Sequence, residues 1–149
     1  MHVISGEKPA EARALPLSTK YDNFVYFAAV TTQQRDVIAC SFRIPQSIKL
    51  YAVEEAELQP INSIALDFQP SYIFWLPRME VFLVFANYES NKGAAIFVND
   101  HEHRLLTLEL DRAITATSSC ILHKTENDHT EKVIIFDNIK KTLLQLELS

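Results

Sequence analysis

Apolar and polar positions alternate along most of this chain in short runs separated by polar or proline-containing breaks. In the stretch Ser47-Ile48-Lys49-Leu50-Tyr51-Ala52-Val53, Ile48, Leu50 and Ala52 share one face, while Lys49 and Tyr51 share the other. A period of two is the signature of a half-buried β-strand. The same reasoning, with the enrichment in aromatic and β-branched residues, predicts strands over 24–31, 37–42, 47–53 and 61–68. A second set follows over 72–76, 81–88, 94–99 and 104–110, and a third over 114–123, 133–137 and 142–148. Between them lie an acidic connection, Glu54-Glu55-Ala56-Glu57, a polar turn, Ser90-Asn91-Lys92-Gly93, and a long polar loop over 124–132. Gly93 is expected at a turn position with positive φ, where the lack of a Cβ matters. No helix is predicted: the segment Ala10-Glu11-Ala12-Arg13-Ala14 is too short to hold one by itself.

The chain also repeats itself. Ala95-Ile96-Phe97-Val98-Asn99-Asp100 leads into Leu105-Leu106-Thr107-Leu108-Glu109-Leu110, and Val133-Ile134-Ile135-Phe136-Asp137-Asn138 leads into Leu143-Leu144-Gln145-Leu146-Glu147-Leu148. A looser copy runs over 37–53. Repetition of a hairpin points to sheets stacked as units. Two registers compete. One aligns the second strands of the three sets, at Val37, Val81 and Val133; the other aligns the duplicated hairpins at Leu106 and Leu144. They disagree about which strand is innermost. The fold class expected is therefore all-β, about three stacked four-stranded antiparallel sheets, with a closed barrel or sandwich as the alternative.

A chain of 149 residues fits one domain. Residues 1–20, with Gly6, Pro9 and Pro16, read as an N-terminal arm, followed by sheet units over 22–69, 70–111 and 112–149. The formal charge is −5, whereas a broad nucleic-acid footprint needs a basic excess, so no direct nucleic-acid contact is expected. No run approaches the ~18 apolar residues of a membrane helix, and no apolar core of signal-peptide length opens the chain. The two cysteines, Cys40 and Cys120, sit in apolar stretches and read as buried thiols. These features suit an intracellular compartment, nucleus or cytoplasm.

The stretch 47–53 resembles the third blade strand of WD-repeat β-propellers, with Tyr51-Ala52 where that family carries Trp-Asp. Such blades repeat at about 40–45 residues with four strands each. The resemblance covers about 22–148 and implies a partial propeller. No Gly-His pair starts a blade, so the family's buried polar tetrad has no counterpart here. The runs 47–53, 61–68, 72–76, 81–85 and 94–98 are also similar to the late blades of the non-catalytic propeller subunit of tRNA guanine-N7 methyltransferase. That similarity implies a scaffold for a separate catalytic subunit in tRNA processing, and no partner-binding residue transfers to this chain. Ribosome-assembly factors, nucleoporins and ubiquitin-ligase adaptors built on propellers share the same general features.

Little chemistry stands out. His101-Glu102-His103 would put two imidazoles on one side if that segment were extended, and two such ligands can hold zinc or copper with help from elsewhere, Asp100 and His123 being possible additions. The competing reading is a polar turn, and no metal or other cofactor is expected. Ser118-Ser119-Cys120 near His123 lacks the glycine elbow of a nucleophile, and His129 lies in a polar loop. Trp75, Tyr72 and Tyr88 are core or interface aromatics, the latter because Trp and Tyr dominate binding hot spots. Lys140 and Lys141, with Lys132 and Arg104, suggest a basic spot that could meet an acidic partner. The function expected is a non-enzymatic protein–protein interaction scaffold, its finer form an accessory subunit of an RNA-modifying or RNA-processing complex, completed by a protein partner or by the remaining blades of a longer propeller. The alternative is a barrel or sandwich binding a small apolar ligand.

Overall fold

The computed structural model describes residues 11, 12, 14–16, 24–32, 34–86, 88–98, 103–122, 131–137 and 139–148. Among them there is no helix, and therefore none long and apolar enough to cross a membrane. Among the described residues eleven strands form three antiparallel sheets. The first holds β1 (Phe24–Thr31), β2 (Asp36–Phe42), β3 (Ser47–Glu54) and β4 (Glu57–Ala65). The second holds β5 (Pro70–Leu76), β6 (Val81–Ala86), β7 (Ser90–Phe97) and β8 (Leu105–Ile114). The third holds β9 (Ala116–Leu122), β10 (Glu131–Asp137) and β11 (Thr142–Leu148). Every sheet is a simple meander, and none closes into a barrel.

The sheets stack with the second in the middle. One apolar cluster joins Val37, Ala39, Ile48 and Leu50 of the first sheet to Ile73, Phe82, Val84 and Ile96 of the second. The other joins Phe74, Leu83, Phe85 and Ala95 of the second sheet to Val133 and Ile135 of the third. Successive residues of β6 therefore serve opposite cores, and all six are buried. A strand covered on both faces needs a continuous apolar run rather than alternation, which Val81-Phe82-Leu83-Val84-Phe85-Ala86 supplies. The sheets approach most closely along their first strands, β1 and β2 against β5 and β5 against β9. This decides the register. The second strands β2, β6 and β10 correspond, and the duplicated hairpins compare strands at different depths in their sheets.

Several local expectations are corrected. Gly93 lies inside β7, opposite Phe85 and Leu108, and the described residues hold no glycine at positive φ. A Cβ there would sit 3.2 Å from the Val84 carbonyl oxygen and 3.5 Å from the Phe85 ring, so close packing explains this glycine. The acidic connection is a tight hairpin turn. Glu54 pairs with Glu57, and Glu55 and Ala56 carry φ values of 49° and 66°, the double positive φ of a type I′ turn. Consequently β4 starts before Pro60, which an edge strand tolerates. Leu66 and Phe68, expected at the end of that strand, are instead buried in the connection to the second sheet.

Candidate interaction surface

Trp75 is half-buried against the core between the first and second sheets, its ring edge-on to Phe82 at 5.0 Å. Tyr72 packs on the opposite core, 5.6 Å from Phe74, which stacks on Phe85. The two aromatics alternate along β5, so they face different layers and form no common patch.

The two turns that carry Tyr88 and Lys140-Lys141 do come together. Tyr88 and Glu89 lie in the β6–β7 turn, and Ile139, Lys140 and Lys141 in the β10–β11 turn. Lys140 Nζ stands 3.1 Å from Glu89 Oε1 and donates to the Ala113 carbonyl at 3.3 Å, joining both turns to the end of β8. Asp137 shapes this corner. Its Oδ1 accepts the backbone N–H groups of Ile139 (3.0 Å) and Lys140 (3.1 Å). The Lys140 N–H above all, with those of Ile139 and Thr115, holds the Asp137 carboxyl below its ordinary pKa against the opposing effect of burial. Around the corner, Tyr88, Ile139 and Leu143 are exposed.

The basic spot divides. Lys132 lies at the opposite end of β10, where its Nζ meets Glu147 at 2.9 Å. A strand of that length separates it from Lys140 by roughly 20 Å. Arg104 lies over the Phe97 ring, at the start of β8 rather than at its Ala113 end. The sequence treated strand ends as neighbours without knowing which ends the stacking brings together.

Exposed apolar side chains mark both outer layers. On β1, Phe27 pairs with Cys40 and lies on the face turned away from the second sheet; it is 56% exposed. On β11, Leu143 pairs with Phe136 on the outer face of the third sheet and is 71% exposed. Between β8 and β11 runs a groove of about 240 Å³ lined by Leu110, Asp111, Arg112, Ile114 and residues 143–146. Sequence reasoning missed this groove, because it depends on how two sheets of unequal width overlap.

His101, Asp100, His123 and His129 lie outside the described residues. His103 has a φ of 48°, so the chain is not extended there, and its Nδ1 lies 3.4 Å from Asn62 Nδ2 of β4. Among the described residues no group of three His, Cys, Asp or Glu side chains is placed to hold a metal ion. Ser118, Ser119 and Cys120 fall within β9. Cys40 is a buried free thiol whose pKa burial pushes up to about 11. Comparison with protein-family models, with curated proteins and with solved structures gives no match to this chain.

Proposed function

We propose that this protein is a non-enzymatic scaffold that binds other proteins. The observation that carries the reading is the unequal treatment of the layers. The middle sheet is covered on both faces, whereas the outer sheets leave Phe27 and Leu143 largely in water. A large exposed apolar side chain acquires its stabilisation when a partner covers it. Stacked meanders that meet along their first strands also suit the blades of a propeller, whose terminal units need covering by further blades or by another chain. A WD-repeat-type propeller serving as accessory subunit of an RNA-modifying complex is the finer form of this proposal. The apolar-ligand alternative lacks the closed barrel that would have provided an interior.

Light scattering on the natively purified protein tests the reading. The expected result is an assembly heavier than one chain, containing a second protein in fixed ratio, which Leu143→Lys or Phe27→Lys loosens. A monodisperse single chain across the accessible concentration range contradicts it.

A further inference from the structure

We propose that a recess on the outer face of the first sheet docks an acidic side chain of a partner protein, a glutamate or aspartate flanked by apolar residues; this deepens the scaffold reading and rests on it. The recess, of about 340 Å³, is lined by Lys49, Leu50 and Tyr51 of β3 and by residues 60–63 of β4. A β-bulge shapes it. Leu50 pairs with Asn62 and Tyr51 with Pro60, so Ile61 is an extra residue without a partner on β3. Such an insertion bends its strand and increases the local twist. Ile48 and Leu50 serve the core shared with the second sheet. Lys49 and Tyr51, at the alternate positions, therefore face the other way, beside their partners Ser63 and Pro60.

Lys49 and Tyr51 are donors without an acceptor. Lys49 Nζ lies 4.9 Å from the centre of the Phe42 ring and, among the described residues, has no carboxylate partner. Tyr51 is only 2% exposed, yet among the described residues its hydroxyl makes no hydrogen bond. Burial above all, with Cys40 close by, raises its pKa, so the hydroxyl keeps its proton at neutral pH. A buried hydroxyl left unbonded costs stability until an acceptor reaches it. Asn62 does not serve. Its Oδ1 accepts the Ser63 N–H at 2.8 Å, and its Nδ2 lies 3.4 Å from His103 Nδ1. Among the described residues no Asp or Glu lines the recess. The occupant that completes this set brings a negatively charged acceptor, together with apolar surface for the Tyr51 ring and Pro60. An ammonium–carboxylate pair left in water contributes little. Pro60 and Ser63 are exposed at the rim, so the recess does not exclude water by itself. The carboxylate must arrive with its own apolar cover, which a protein surface supplies and a small free acid does not.

The test titrates the full-length protein with acetyl-Leu-Glu-Leu-amide up to about 10 mM, so that dissociation constants near about 1 mM are read. NMR follows the Lys49 side-chain and Tyr51 ring signals. Expected are saturable shifts at both residues. Acetyl-Leu-Gln-Leu-amide should bind about tenfold more weakly, as should the glutamate peptide to Lys49→Met, which keeps the apolar stem; Tyr51→Phe should weaken binding about threefold. Lys92→Met, on the second sheet, should bind normally. Propionate, the same carboxylate without the peptide, should not saturate in this range. Circular dichroism shows that each variant is folded, and the comparison of the two peptides needs no variant. Absence of shifts at Lys49 and Tyr51 overturns the inference, as does equal binding of the two peptides or saturation by propionate. A concentration-dependent dimer that Lys49→Met dissolves also overturns it, by identifying a second copy as occupant. So does a Lys49 ion pair in the free protein that disappears on deleting residues 1–10, by identifying the chain itself. The scaffold reading is judged separately by the mass of the native assembly. A heteromeric assembly with no response at Lys49 rejects the recess alone.

Discussion

The double burial of the second sheet can be tested with a pair of truncations on its opposite faces. Leu83 of β6 faces the third sheet and Ile96 of β7 faces the first; both are buried. Changing either to alanine removes three carbons, worth about 2.4 kcal/mol of transfer free energy at ~0.8 kcal/mol each. Incomplete collapse of the cavity adds to this, giving about 2–5 kcal/mol per site. Their side chains lie in different cores, but Ile96 pairs with Phe82, the neighbour of Leu83, so the two losses should add only approximately. Because a domain of this size has only about 5–15 kcal/mol in total, the double variant stands near the limit of folding. Urea denaturation followed by tryptophan fluorescence provides the assay, since Trp75 lies in one of the two cores. A cost below ~1 kcal/mol at either site would mean that one face of the second sheet is open, and the three-layer arrangement would fail.

Three further outcomes follow from local chemistry. Ala56→Gly should stabilise the protein by about 1 kcal/mol in the same assay, because Ala56 occupies a positive-φ position that costs a non-glycine residue ~1–3 kcal/mol; a loss of stability would refute the type I′ geometry. Asp137→Asn should lower stability at pH 7. The native carboxyl has a depressed pKa, so its contribution is present above the unfolded value of about 3.9 and is lost as pH falls through the folded value. The gap between native protein and variant should therefore close below about pH 4, and a pH-independent gap would reject the role given to the charge. Cys40, with its thiol pKa near 11 and its side chain buried, should resist a thiol reagent at pH 8 until denaturant is added; mass-resolved labelling of Cys40 in the native protein would contradict its placement.

Much of the fold was legible in the sequence because alternation is a local property. The bounds of β1 and β11 and the grouping into four, four and three strands follow from it. The errors arose where tertiary packing overrides local signals. Gly93 resembled a turn residue, yet it admits the Phe85 ring within a strand. Glu55 and Ala56 carry no turn signature, yet they form the tightest hairpin connection in the first sheet. The duplicated hairpin was real sequence similarity between strands in unequal positions. The surface was less legible for the same reason. Lys140 meets Glu89 only because two turns in separate sheets end at one corner, and the groove exists only because the sheets differ in width.

Residue-resolved amide exchange on the free, full-length protein tests the layered arrangement most directly. The β6 amides, paired on both sides in the doubly covered sheet, should exchange slowest, and those of the β3–β4 turn at Glu55 and Ala56 orders of magnitude faster. Rapid exchange in β6 would contradict a three-layer stack with the second sheet in the middle.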